Sequence, residues 1–211
     1  MYNLRKILYL IVAAVTFSAN AGSFEDYFIA IRNDNISILG DLLRRGFDPN
    51  TANETGQPGL TIAMQEHSLR AAKMLLVQPG LKIDALNPAG ESALMMAALK
   101  GDTEGVQLLL ERGATINQPG WSPLHYAATG PEPEIVRTLL GRGAEVDAPS
   151  PNGTTPLMMA AQYGSEDSVK LLLERGADPG RRNQKNLNAI DFAKLAGRDA
   201  LAARLQKQLQ R

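Results

Sequence analysis

The apolar positions of this chain come in short phrases that repeat. Leu94-Met95-Met96-Ala97-Ala98, Leu124-His125-Tyr126-Ala127-Ala128 and Leu157-Met158-Met159-Ala160-Ala161 are one phrase, with weaker copies at Leu60-Thr61-Ile62-Ala63 and Ile190-Asp191-Phe192-Ala193. Their leading residues are spaced 34, 30, 33 and 33 apart. Fourteen residues after each of the first four leading residues a second phrase appears: Met74-Leu75-Leu76, Leu108-Leu109-Leu110, Thr138-Leu139-Leu140 and Leu171-Leu172-Leu173. A third, Arg45-Gly46, Arg112-Gly113, Arg142-Gly143 and Arg175-Gly176, closes the period. Self-similarity at this interval is the mark of a stacked array, because one such unit has no partner for its apolar face and a row of them does.

Local chemistry predicts two short antiparallel helices in each unit. Ser122-Pro123 and Thr155-Pro156 place an N-cap hydroxyl before a proline at the first helical position. The first helix runs about two turns and is expected to stop near Gly101 or Gly164, where glycine takes the left-handed conformation. The second helix carries Val106, Val136 or Val169 with the leucines on one face, and ends at Arg-Gly, the arginine complementing the helix dipole. Paired alanines let neighbouring helices approach closely. Pro, Asn, Asp and Gly between units favour turns.

The first 21 residues follow a different pattern. Arg5 and Lys6 precede an apolar run from Ile7 to Phe17, and Ala19-Asn20-Ala21 gives a small-x-small site before Gly22. This is the layout of a cleaved export signal, and the run is short for a membrane span. The expectation is a signal peptide over 1–21, a mature chain over 22–211 and a periplasmic location.

Composition narrows the chemistry. There is no cysteine, so no disulfide or thiolate site, and the two histidines, His67 and His125, are 58 residues apart, which is no metal-ligand spacing. Charge is balanced overall but uneven along the chain: net −4 over 22–66, −4 over 67–180 and +6 over 181–211. Aromatics do not interleave the basic residues, which argues against nucleic acid.

The segments Gly153-Thr154-Thr155-Pro156-Leu157-Met158-Met159-Ala160-Ala161 and Gly120-Trp121-Ser122-Pro123-Leu124-His125-Tyr126-Ala127-Ala128, each followed by its leucine phrase and Arg-Gly, resemble ankyrin repeats. With the export signal, the chain is similar to small exported bacterial ankyrin proteins. The resemblance implies an all-α solenoid of helix-turn-helix units with short β-hairpin fingers. Six units are expected: an N-terminal cap over 23–51 keeping only the later half of the motif, internal repeats at 52–84, 85–117, 118–147 and 148–180, and a C-terminal cap over 181–211 with a polar second helix. Pro58-Gly59 replaces the Thr-Pro pair, so the first helix of the second unit should begin less firmly. The fourth unit is three residues short between Asn117 and Gly120, so its finger is clipped.

The same resemblance assigns roles. Gly120, Ser122, Pro123, His125, Gly153, Thr155 and Pro156 are structural motif residues, and His125 is implied to bond neighbouring backbone. The contact surface is implied to be the concave side, formed by finger tips and first helices. Mapped position by position, it comprises Gln57, Gln65, Glu66, Glu91, Leu99, Lys100, Trp121, Thr154, Gln162, Tyr163, Gln184, Lys185 and Leu187. Leu99, Trp121, Tyr163 and Leu187 would form an apolar strip, the kind of exposed surface that marks a contact site. The competing reading folds Trp121 onto its neighbours as local core. The methionine pairs read as core filler. Arg181, Arg182 and Lys185 form a basic cluster suited to an acidic protein or an anionic lipid surface, or else a solvated cap with favourable helix-end charges. No nucleophile–base pair meets at a cleft, and no metal, cofactor or small-molecule substrate is expected. The expectation is a monomeric, non-enzymatic module that binds a protein partner, protecting or neutralising a periplasmic enzyme or toxin. The alternative is an envelope assembly factor acting through the basic end.

Overall fold

The computed structural model describes residues 22–210. The segment 1–21, read as an export signal, lies outside the described residues. Twelve helices are found among the described residues. They are α1 (22–32), α2 (Ile36–Arg44), α3 (Gly59–Gln65), α4 (Leu69–Leu76), α5 (Ala93–Lys100), α6 (Thr103–Glu111), α7 (Pro123–Thr129), α8 (Pro133–Gly141), α9 (Pro156–Tyr163), α10 (Glu166–Glu174), α11 (Ala189–Leu195) and α12 (Asp199–Leu209). They pair as six helix-turn-helix units. The first unit holds more than the later half of the motif: α1 is a full first helix, its Tyr27 buried where later units have the leading leucine.

First helices pack against one another along their row, α3 on α5, α5 on α7, α7 on α9 and α9 on α11, while the second helices meet more sparsely. The row of first helices is therefore the more closely packed one. Small residues set that spacing. Ala97, Ala98, Ala127, Ala128, Ala160 and Ala161 are buried. A Cβ on Gly130 would sit 2.7 Å from the Ala98 carbonyl oxygen, and one on Gly164 would collide with the carbonyl of Ala128. Gly101 takes the expected left-handed conformation at φ 72°. Gly164 does not: it is extended, at φ −83° and ψ 176°. It is glycine because a neighbouring backbone passes too close.

One core runs through all units, each contributing its leading residue and leucines, as Leu94, Leu109, Leu124, Leu139, Leu157 and Leu172. Each such side chain contributes about 1.5–3 kcal/mol of transfer free energy. Units are also joined by a ladder of side-chain acceptors. Asn50 Oδ1 accepts from Lys82 N at 2.7 Å, Asp84 Oδ1 from Thr115 N at 2.9 Å, Asn117 Oδ1 from Glu145 N at 2.9 Å and Asp147 from Asp178 N at 3.2 Å. Arg112 donates to the carbonyl of Leu76, at the end of the preceding second helix rather than its own.

The fingers are not β-hairpins in the regular sense. The bridge between Ala52 and Pro58 is isolated, and the element order among the described residues contains helices only. Asn53, Asn87, Ser150 and Asn183 each donate a backbone bond to the residue four further on and close the turn with a side-chain oxygen. An Asx-type turn satisfies its own amides, so no ladder is needed.

Candidate functional site

The finger-side face is built from the starts of the first helices. In α7, Ser122 is the N-cap and Pro123 the first helical residue. His125, one position after the leading leucine, is 1% exposed. Its Nδ1 accepts from Ser122 N at 3.1 Å and meets Ser122 Oγ at 2.9 Å, and Nε2 lies 3.0 Å from the Thr154 carbonyl of the next unit. The backbone N–H only donates and the carbonyl only accepts, so the ring is the neutral Nε2–H tautomer. Burial holds its pKa below the usual histidine value, against the Thr154 bond, which favours the proton. This histidine is a brace, as the resemblance implied.

Other units fill the same position differently. Met95 Sδ accepts from Ser92 N, and Met158 Sδ from Thr155 N, both at 3.4 Å. Asp191 Oδ2 accepts from Asn188 N at 3.0 Å. Thr61, in the second unit, has a buried hydroxyl without a hydrogen-bond partner, and α3 starts from Pro58 with no side-chain cap. Gly59 is required because a Cβ there would lie 2.6 Å from the Tyr27 hydroxyl.

The clipped finger opens a pocket of about 210 Å³, lined by Leu99, Trp121, His125, Tyr126, Thr129 and Met159. Trp121 is half-buried and meets His125 edge-on at 5.1 Å. It is a wall of this pocket, neither closed core nor a projecting anchor. Tyr126 donates from its hydroxyl to Glu91 Oε1 at 3.0 Å, and Asn87 Nδ2 holds the other carboxylate oxygen at 2.7 Å. Burial, reinforced by that carboxylate, raises the Tyr126 pKa.

Not every mapped contact residue lies on the surface. Glu66, Lys100, Tyr163, Gln184 and Lys185 are exposed, and Gln57, Gln65, Glu91, Leu99, Gln162 and Leu187 are half-buried. Thr154 is a correction: it is 2% exposed, its carbonyl braced by His125 and its hydroxyl accepting from Asn183 Nδ2 at 3.4 Å. The position serves the finger, not a partner. Leu99 and Trp121 come together, but Tyr163 and Leu187 do not line their pocket. In the basic cluster, Arg181 donates to the Asp147 carbonyl at 2.7 Å, and Arg182 donates to the Asn186 carbonyl at 2.6 Å, 3.6 Å from Asp191. Lys185 projects from the finger. His67, left-handed at φ 56°, sits 3.0 Å from the buried Asp102 carboxylate.

Tyr126, Thr129 and Met159 are pocket residues that the sequence does not single out. Tyr126 and Met159 stand two positions after a leading leucine, and that shared register is the available signal. The exposed Leu195 on α11 was also missed.

A family model described as "Ankyrin repeats (3 copies)" matches residues 27–119 and 115–183. An ankyrin repeat-containing protein of Treponema pallidum is 29% identical over 82% of this chain and 48% of its own length. Ankyrin repeat and SAM domain-containing protein 6 of Mus musculus is 37% identical over 70% of this chain and 13% of its own length. The chain thus spans less than half of the length of these curated relatives. Among solved structures, a chain in the complex of the predatory endopeptidase Bd0816 of Bdellovibrio bacteriovorus with immunity protein Bd3460 has a TM-score of 0.74 at 24% identity. That match covers 86% of this chain and 97% of the other.

Proposed function

Because the chain belongs to the ankyrin repeat family, we propose that it is a non-enzymatic binding module that holds a protein partner on its finger-side face, in the periplasm. The observation that carries this reading is the open pocket between Leu99, Trp121, Tyr126 and Met159 at the clipped finger. Apolar and aromatic side chains lining an open cleft are what a protein contact uses as its anchor point. A braced stack loses little conformational freedom on binding, which favours affinity without a large interface. The fold neighbour comes from a complex of an endopeptidase with an immunity protein. That pairing supports a partner that is itself a hydrolase, restrained by this chain. Arg181 and Arg182 already have intramolecular acceptors, which leaves the basic end less to offer a lipid surface.

The test is a photo-reactive group at Gln162 of the mature chain, offered to periplasmic extract of the source organism and read by mass spectrometry. Recovery of one dominant protein is expected. Recovery of no specific protein, beside strong binding to anionic vesicles that is lost when Lys185 becomes Glu, would overturn the reading. The N-terminus of the protein in the periplasmic fraction should be Gly22; an intact Met1 there would overturn the export assignment.

A further inference from the structure

The pocket at the fourth unit has a counterpart three units away. Counting seven positions back from the left-handed residue that follows α1, α3 and α5 aligns Tyr27 with Leu60 and Leu94, since Asp34, His67 and Gly101 all have positive φ. In this register Phe24 takes the place of Trp121, Phe28 that of His125, Ile29 that of Tyr126 and Arg32 that of Thr129. Those four residues line a second open cavity, of about 360 Å³, closed by Glu25 and by the next finger at Asn53, Glu54 and Thr55. Ile29 is 48% exposed there, whereas its equivalents Ile62 and Met96 are 2% and 6% exposed. α1 is the first of the described helices, and the fourth finger is three residues short. At both places the aromatic and aliphatic residues at the start of the first helix line an open cavity.

Helices in contact lie 8–10 Å apart, so three unit steps separate the two pockets by about 24–30 Å. An extended chain covers about 3.3 Å per residue, so seven to nine residues span that distance. Acids dominate the face at and between the pockets. Glu25 and Glu54 stand at the first, Glu66 ends α3, and Glu91 borders the second, against Arg32 and Lys100. Building on the protein-binding reading above, we propose that this face recognises an extended, basic segment of its partner, with two bulky apolar residues seven to nine positions apart, one for each pocket. Two anchors on one segment act together, since seating the first raises the local concentration of the second. The acids between them favour Lys or Arg in the intervening positions.

The experiment is selection from a random 16-residue peptide library displayed on phage, against the chain 22–211. Enriched sequences are expected to carry two large apolar residues at the stated spacing with Lys or Arg between. A selected peptide should bind at least tenfold more weakly to Ile29→Ser and to Trp121→Ala. A peptide lacking the anchor for one pocket should no longer respond to the variant at that pocket. Ile29 is exposed, so its variant keeps the fold even where Trp121→Ala lowers the Tm. Enrichment of a single apolar residue, of acidic peptides or of nothing would overturn the proposal, as would binding indifferent to Ile29→Ser. The photo-crosslinking above separates the two ideas. A partner captured at Gln162 with equal yield from Ile29→Ser and wild type leaves the binding module standing and removes the two-pocket rule. No captured partner removes both.

Discussion

The start of α7 and the start of α3 occupy the same place in their units and are held in different ways. At α7, the Ser122 amide donates to the His125 ring, and the imidazole ties the unit to the Thr154 carbonyl of the next. At α3, proline stands where the cap hydroxyl should be, and the Thr61 hydroxyl is buried without a partner. That start is held by packing, with Tyr27 and Ile31 pressed against Gly59. One joint is hydrogen-bonded and directional. The other is steric, and it depends on the capping unit. The difference teaches that a single repeat register tolerates two kinds of joint, provided each is complete by its own logic.

The comparison breaks hardest at His125. His125→Ala removes an acceptor and a donor at once: it strands the Ser122 amide, costing about 1–3 kcal/mol, and takes from the Thr154 carbonyl, which still accepts from Ser150 N, a second bond of about 0.5–1.5 kcal/mol, beside the cavity left by the ring. A loss of about 3 kcal/mol or more in urea unfolding is expected. His125→Met restores the acceptor that Met95 and Met158 supply but not the inter-unit bond, so it should lose roughly half as much. Equal losses for the two variants would show that the Thr154 bond alone matters. Next comes the steric joint. Gly59→Ala places a methyl against Tyr27 and Ile31 and should cost about 1–3 kcal/mol by overpacking; thermal melting of the variant checks it, and an unchanged Tm would mean the α1–α3 contact is slack.

A smaller effect appears with pH. Burial holds the folded-state His125 pKa below the unfolded value of about 6.5. The unfolded chain therefore binds the proton first. Stability is full above about pH 6.5 and falls as the pH drops toward the folded pKa. Asp147, whose pKa burial raises, works in the opposite sense at lower pH, so the useful window is about pH 5–7. The slope of stability in that window should flatten in His125→Met. An identical slope would assign the effect elsewhere. Smallest of all is Thr61→Val. It removes a hydroxyl that has no partner and should change stability by less than about 1 kcal/mol, in the stabilising direction. A clear loss would reveal a bond at Thr61.

Much of this was written in the sequence. Helix starts at Ser122-Pro123 and Thr155-Pro156 were legible because capping is local, and the units because their phrases recur. What escaped depends on neighbours. Gly101 and Gly164 look alike in sequence, but one needs a left-handed backbone and the other makes room for the Ala128 carbonyl. The methionines at 95 and 158 read as filler, yet their sulfurs accept the cap amide that His125 accepts in α7. Thr154 looked like a finger-tip contact because the turn's inward pairing with His125 and Asn183 is set across units. The cavity at Phe24, Phe28 and Ile29 was missed because the first unit's early half does not spell the motif, although its helix is there.

The ladder of Asn50, Asp84, Asn117 and Asp147 carries one more consequence. Three of its bonds bridge 32, 31 and 31 residues; the one from Asn117 bridges 28. The three-residue deletion in the fourth unit is thus absorbed entirely inside the finger, and the joint on either side keeps its form. Pitch and loop length are independent variables in this molecule. A lineage, or an engineer, is free to trim or extend any finger and so reshape what the surface accepts, while the spine that carries it goes on unchanged.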